Sequence, residues 1–351
     1  MNRNRCARLA CCLLAASVVI PSPALRAQVS KDHKLDTGKR PLHVTYYRSR
    51  LESLAAVVVL FHSHGENRGV WCRRGGFAEK LQAKGYAVIA ADFRTSTLET
   101  KTGKNAKKRT RQKTPKPEAK DHLTFNGDME AIKRFLLVEH QKRHLNMRKM
   151  SIIASGMSGP LAVSFASRDW AKAPLGRNGN NVVIRPPNGI YWNRSRRLFD
   201  EIALDKLFGR FLWVARGQDV RTLILLSPER PHRAVALAKS VRFLNTVRQS
   251  QMRSLDRSLQ LSVLSPAGTA CLVCVGKSGS RAPVTKAKEI YEMFSRGNSR
   301  DVNLRFKAFP VKEQGTDLLG AVPQLEQDIL DFLNQTIGQL KDPWRSRSTE
   351  N

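Results

Sequence analysis

Short runs of Val, Ile, Leu, Ala and Phe recur along the chain between stretches in which apolar residues return every three or four positions. The runs read as strands buried on both faces, and the stretches between them as helices with one apolar side. Strands are predicted at 54–61, 86–91, 149–154, 220–226, 270–275 and 302–309, and helices near 77–84, 128–139, 161–170, 282–294 and 324–340. Strand and helix alternate almost throughout. The expected fold class is therefore α/β, a doubly wound, mostly parallel sheet with helices on both faces and right-handed crossovers.

Two stretches break this rhythm. Residues 101–120 hold nine Lys or Arg against the single Glu118, with Pro115, Pro117 and almost nothing apolar, so they are expected to form a solvated basic loop. Residues 171–217 separate a helix from a strand and are broken by Gly176, Gly179, Pro186, Pro187 and Gly189. A connection of that length is either a lid-like insertion or a disordered segment. Residues 342–351 read as a flexible tail, and 28–341 as one domain.

At the N-terminus, Arg3, Arg5 and Arg8 precede an apolar stretch from Leu9 to Ile20, and small Ala27 follows. This is the pattern of an export signal, with cleavage expected after Ala27. The apolar stretch is well short of the roughly 20 residues that span a bilayer. Export puts the mature protein in the periplasm, at the envelope or outside the cell. The formal charge of +32 becomes +28 once Arg3, Arg5, Arg8 and Arg26 are removed, still strongly basic.

Of six cysteines, Cys6, Cys11 and Cys12 lie in the signal, which leaves Cys72, Cys271 and Cys274, too few for a disulfide framework. Cys271 and Cys274 have CxxC spacing but sit inside an apolar run. On a strand, residues three apart face opposite ways, so both are expected to be core thiols.

With the elements placed, a resemblance emerges. Leu60-Phe61-His62-Ser63-His64-Gly65 resembles the strand-to-loop segment where α/β-hydrolases keep a His-Gly pair beside the oxyanion hole. Residues 85–94 are similar to the next strand of that family, Asp128-Met129-Glu130-Ala131 to the helix before its nucleophile elbow, and 302–319 to its last strand and loop. The match runs over roughly 45–340. It implies a Ser-His-acid triad in the order nucleophile, acid, histidine.

The positions that the resemblance assigns to the triad hold other residues. Reading forward from the strand at 149–154, the elbow is Ala154-Ser155-Gly156-Met157-Ser158, so the nucleophile's place holds Gly156, which carries no oxygen. A frame two residues later makes Ser158 the nucleophile, with Pro160 in place of a close-packed glycine. The acid's place, after Val275-Gly276, falls near Gly279, and no Asp or Glu occurs from 257 to 288. The histidine's place holds Gln314, which cannot shuttle a proton near neutral pH. The last histidine of the chain, His232, lies upstream of the acid's place and is expected on the surface. His64, Gly65 and the Met157 backbone N–H remain as a vestigial oxyanion pocket. His62 and His64 would share one face of a strand, but two histidines make a poor metal site. No metal or cofactor is expected.

The function this implies is a non-catalytic binding or scaffold role on the hydrolase fold. The alternative is a cryptic serine hydrolase, of esterase or peptidase type, using Ser158. Lys107, Lys108, Arg109 and Arg111 make the densest basic patch. They suit a polyanion such as an acidic glycan, an envelope component or nucleic acid, with plain solubility of a basic exported protein as the competing explanation.

Overall fold

The computed structural model describes residues 30–38, 41–92, 119–172, 217–232, 235–257, 269–296, 303–340 and 342–347, and the pairs 175–176, 192–193, 198–199 and 213–214. One sheet contains β1 (Ser30–Leu35), β2 (Leu42–Tyr47), β3 (Val57–Phe61), β4 (Ala87–Ala91), β5 (Met150–Ser155), β6 (Val220–Leu226), β7 (Ala270–Gly276) and β8 (Leu304–Phe309). Their order across the sheet is β1-β2-β4-β3-β5-β6-β7-β8. β1 and β2 form an antiparallel hairpin and β2 runs antiparallel to β4, while the pairings from β4 to β8 are parallel.

The longer helices are α1 (Phe77–Ala83), α2 (Ala119–Gln141), α3 (Ser158–Ala171), α4 (Leu237–Arg257), α5 (Arg281–Ser295) and α6 (Pro323–Leu333). Successive side chains of a strand point to opposite faces, and the core is split accordingly. Val57, Val59 and Phe61 join a layer with Met129, Phe165, Leu244 and Phe294, from α2, α3, α4 and α5. Val58 and Leu60 join Leu81 of α1 and Phe332 of α6. Cys271 and Cys274 lie buried in these two opposite layers as free thiols. Among the described residues no helix is long and apolar enough to cross a membrane.

Three elements were absent from the expected set. β1 is a charged edge strand whose residues are mostly exposed, so it carries no apolar run. β2 buries Val44 and Tyr46 in one layer and Tyr47 in the other, which dilutes its pattern. α4 places Leu237, Val241, Leu244 and Val247 on one stripe, but the basic residues between them mask it.

The reading of residues 342–351 as a flexible tail needs correcting for 342–347. Asp342 accepts from Arg148 Nε at 3.1 Å, and Trp344 Nε1 donates to the His140 carbonyl at 2.8 Å. Arg347 reaches a fully buried Asp219 at 2.6 Å. Lys133 of α2 pairs with the same carboxylate at 2.6 Å and also with Asp169 of α3. Burial opposes ionisation of Asp219, but Arg347 and Lys133 outweigh it and hold its carboxyl well below the usual range. The charges are legible in the sequence, but their meeting depends on tertiary packing.

Residues 1–27 and most of 101–120 lie outside the described residues, with Ala119 and Lys120 opening α2. Of 171–217, Ala171 closes α3, and two short antiparallel pairings join Leu175–Gly176 to Trp213–Val214 and Trp192–Asn193 to Leu198–Phe199.

Candidate functional site

The chain runs from β3 to β4 on one side and then crosses back to β5 on the other, so a crevice opens outside the carboxyl ends of β3 and β5. In open α/β sheets, ligands bind at such a reversal point. Here it brings together the loops after β3, β5, β6, β7 and β8.

Gly156 makes the turn from β5 into α3 with φ +56°, in the left-handed region where a side chain is strained. Its N–H donates to Leu226 O at 2.9 Å, and its carbonyl accepts from the Glu229 N–H at 3.1 Å. A Cβ placed there would lie 2.1 Å from Ser63 Oγ and 3.0 Å from Glu229 Oε1. The hydroxyl of the β3 loop thus fills the space that a side chain at the elbow would occupy. Gly159 meets a similar restriction, since a Cβ on it would be 3.0 Å from Pro228 Cβ.

Ser158 is the first residue of α3 and is fully buried. Its hydroxyl donates to Ser155 O at 2.6 Å, which binds it to the helix start. Gly279 lies in the exposed turn before α5 with φ +107°. Gln314 Nε2 donates to Gly276 O at 2.9 Å and Lys312 O at 3.3 Å. Its side chain therefore bridges the end of β7 to its own loop. Gly315, with φ +61°, closes on β5, where a Cβ would lie 2.6 Å from Ser155 Oγ.

Of the expected oxyanion pocket, Met157 caps α3 and Gly65 turns with φ +80°. The neighbouring Ser63 N–H donates to Glu66 Oε2 at 2.8 Å, and the Thr316 hydroxyl donates to Glu66 Oε1 at 2.6 Å. One carboxylate therefore ties the β3 loop to the β8 loop. Neither Glu66 nor Glu229 was singled out in the sequence. The usable signal was their rarity, because acidic residues number 29 against 61 basic ones.

His62 and His64 fall in the loop after β3, which removes the expectation that they share a strand face. His62 is fully buried, its Nδ1 lies 2.7 Å from Ser63 O, and burial lowers its pKa. Among the described residues, no three His, Cys, Asp or Glu side chains group as a metal site would require. His232, expected on the surface, is half-buried and stacks on His122 of α2 with ring centroids 4.6 Å apart.

The site also gathers unsatisfied polar atoms. Buried Ser155 Oγ, Ser227 Oγ, Gln314 Oε1 and His64 Nδ1 have no hydrogen-bond partner among the described residues. Buried polar groups are normally paired, so this cluster of unpaired atoms is unusual for a packed interior. The basic patch Lys107, Lys108, Arg109 and Arg111 lies outside the described residues.

The strand order, with β2 alone antiparallel inside the sheet and a tight turn from β5 into α3, can be set beside solved structures. The acylaminoacyl peptidase of Pyrococcus horikoshii superposes with a TM-score of 0.52 at 9% identity, over 92% of this chain and 44% of that one. The chain has the α/β-hydrolase fold. Dienelactone hydrolase from Anabaena variabilis is similar at 12% identity and a TM-score of 0.49, covering 88% of this chain and 99% of that one. The Pyrococcus furiosus esterase Pf2001 is similar at 14% identity and a TM-score of 0.47, over 89% and 94%. No protein-family model and no curated protein matches the chain.

Proposed function

We propose that this is an exported, non-catalytic protein of the α/β-hydrolase fold that uses the cleft at Gly156 for binding. The observation that carries this reading is the elbow: position 156 has the left-handed backbone of a nucleophile site but holds glycine, with Ser63 Oγ in the side-chain space. Loss of the nucleophile or base in a serine hydrolase removes about a million-fold in turnover. Ser158 is a poor substitute, being buried with its hydroxyl committed to Ser155 O. Export is supported by the Arg3, Arg5, Arg8 and 9–20 pattern, and polyanion binding by Lys107, Lys108, Arg109 and Arg111.

A second reading keeps the chemistry and moves the nucleophile. Ser63 Oγ occupies the space that a nucleophile's side chain at 156 would take, 2.1 Å from the position of its Cβ, and Glu229 Oε1 lies 3.0 Å from that same position. One experiment separates the two. Treatment with a fluorophosphonate probe and a panel of nitrophenyl esters is expected to give no labelling and no turnover above the blank. Labelling abolished by Ser63→Ala, or by Ser158→Ala, makes the protein a hydrolase with the serine thus identified.

A further inference from the structure

A second concavity lies between the first turn of α4 and the outer face of α5, with Arg230 and Pro231, the residues after Glu229, on its wall. Its volume is about 390 Å³, inside the ~300–1,000 Å³ typical of small-molecule pockets. The floor is apolar. Leu237 and Ile290 belong to the core, while Val235 and Met293 pack against it and stay partly exposed. Among the described residues, the rim carries Arg230, Lys239 and Lys286 against the single acid Glu289.

An open hydrocarbon floor under a cationic rim selects on both counts. Apolar surface left in water is unfavourable, and a saturated chain laid along it removes that penalty. A carboxylate or sulfate head gains from the three cations, and the N-terminal end of the 21-residue α4 adds positive potential at the same edge. A cationic head is repelled, and a neutral alcohol gains from the floor alone. We propose that this groove binds a single-chain anionic amphiphile, with its chain along Leu237 and Ile290 and its head between Lys239 and Lys286.

The test is titration of the full chain with decanoate and decylammonium below their micelle concentrations and with 1-decanol below its solubility limit. Decanoate binds about tenfold tighter than decylammonium, and shortening it to octanoate weakens binding by roughly fourfold for each methylene removed. Met293→Trp, which fills the floor and leaves the charges alone, abolishes decanoate binding. Lys239→Glu with Lys286→Glu removes the preference for the anion. Lys239 is exposed and Lys286 half-buried, neither in the core, so the pair serves as the test if Met293→Trp does not fold. Equal affinity for decanoate and decylammonium, decanoate binding that survives Met293→Trp, or binding to anionic vesicles without binding to monomeric decanoate would each overturn the proposal.

Discussion

The Ser63 hydroxyl lies 2.1 Å from the place a Cβ on Gly156 would take, so the β3 loop and the elbow exclude one another's side chains. Gly156→Ala is expected to destabilise the protein by about 2 kcal/mol, through the left-handed φ and the clash together. In a Ser63→Gly background the same change should cost about 1 kcal/mol less, because the Ser63 clash is gone and the backbone strain and the tight contact with Glu229 remain. Urea unfolding of the four proteins in this cycle measures it; identical values in both backgrounds would show that the two residues do not compete.

Arg347→Ala leaves Asp219 and Asp169 sharing the one ammonium of Lys133 in a buried setting. A loss of about 3–5 kcal/mol is expected. The pH dependence has a definite sign. Asp219 is held below its unfolded pKa, so its contribution is present at neutral pH and is lost as pH falls below about 4. Lys133 is opposed by burial but raised by its two carboxylates, so its contribution is full below about 10.4 and lost as pH rises further. Melting temperatures across pH should flatten at the acid end in Arg347→Ala; an unchanged acid limb would contradict the assignment.

His62 and His140 are both buried, and burial lowers both pKa values. On unfolding, each takes up a proton below about 6.5, so both subtract stability as pH falls through that value. The urea midpoint is expected to drop between pH 7 and pH 5, and to drop less in His140→Gln. Proton NMR of the imidazole signals would check it directly, since titration of either at an ordinary histidine pKa rules this out.

The two cysteines of β7 should resist alkylation in the native state. Burial pushes Cys271 up to about 12 and raises Cys274 further. In a chain lacking residues 1–27, iodoacetamide followed by mass spectrometry should modify half-buried Cys72 first. Cys271 and Cys274 should react only in denaturant, and early modification of either would mean that β7 opens locally.

Much of the sheet was legible because its parallel strands are buried on both faces and keep long apolar runs, as at Val57–Phe61 and Val220–Leu226. β1 was not, because Ser30–Leu35 is a polar edge whose pairing depends on β2 rather than on its own residues. At the cleft, the turn at Gly156 could be located by counting from β5. The roles of Glu66 and Glu229 could not, since each arises from contact with residues distant in the chain. The docking of 342–347 was hidden for the same reason, as Trp344 and Arg347 meet their partners only across the assembled fold.

Glu66 accepts from Ser63 three residues before it and from Thr316, 250 positions further on. The loops after β3 and β8 are therefore not independent gates. Displacing either one requires breaking a charge-assisted hydrogen bond that also positions the other, so the two loops beside Gly156 yield together.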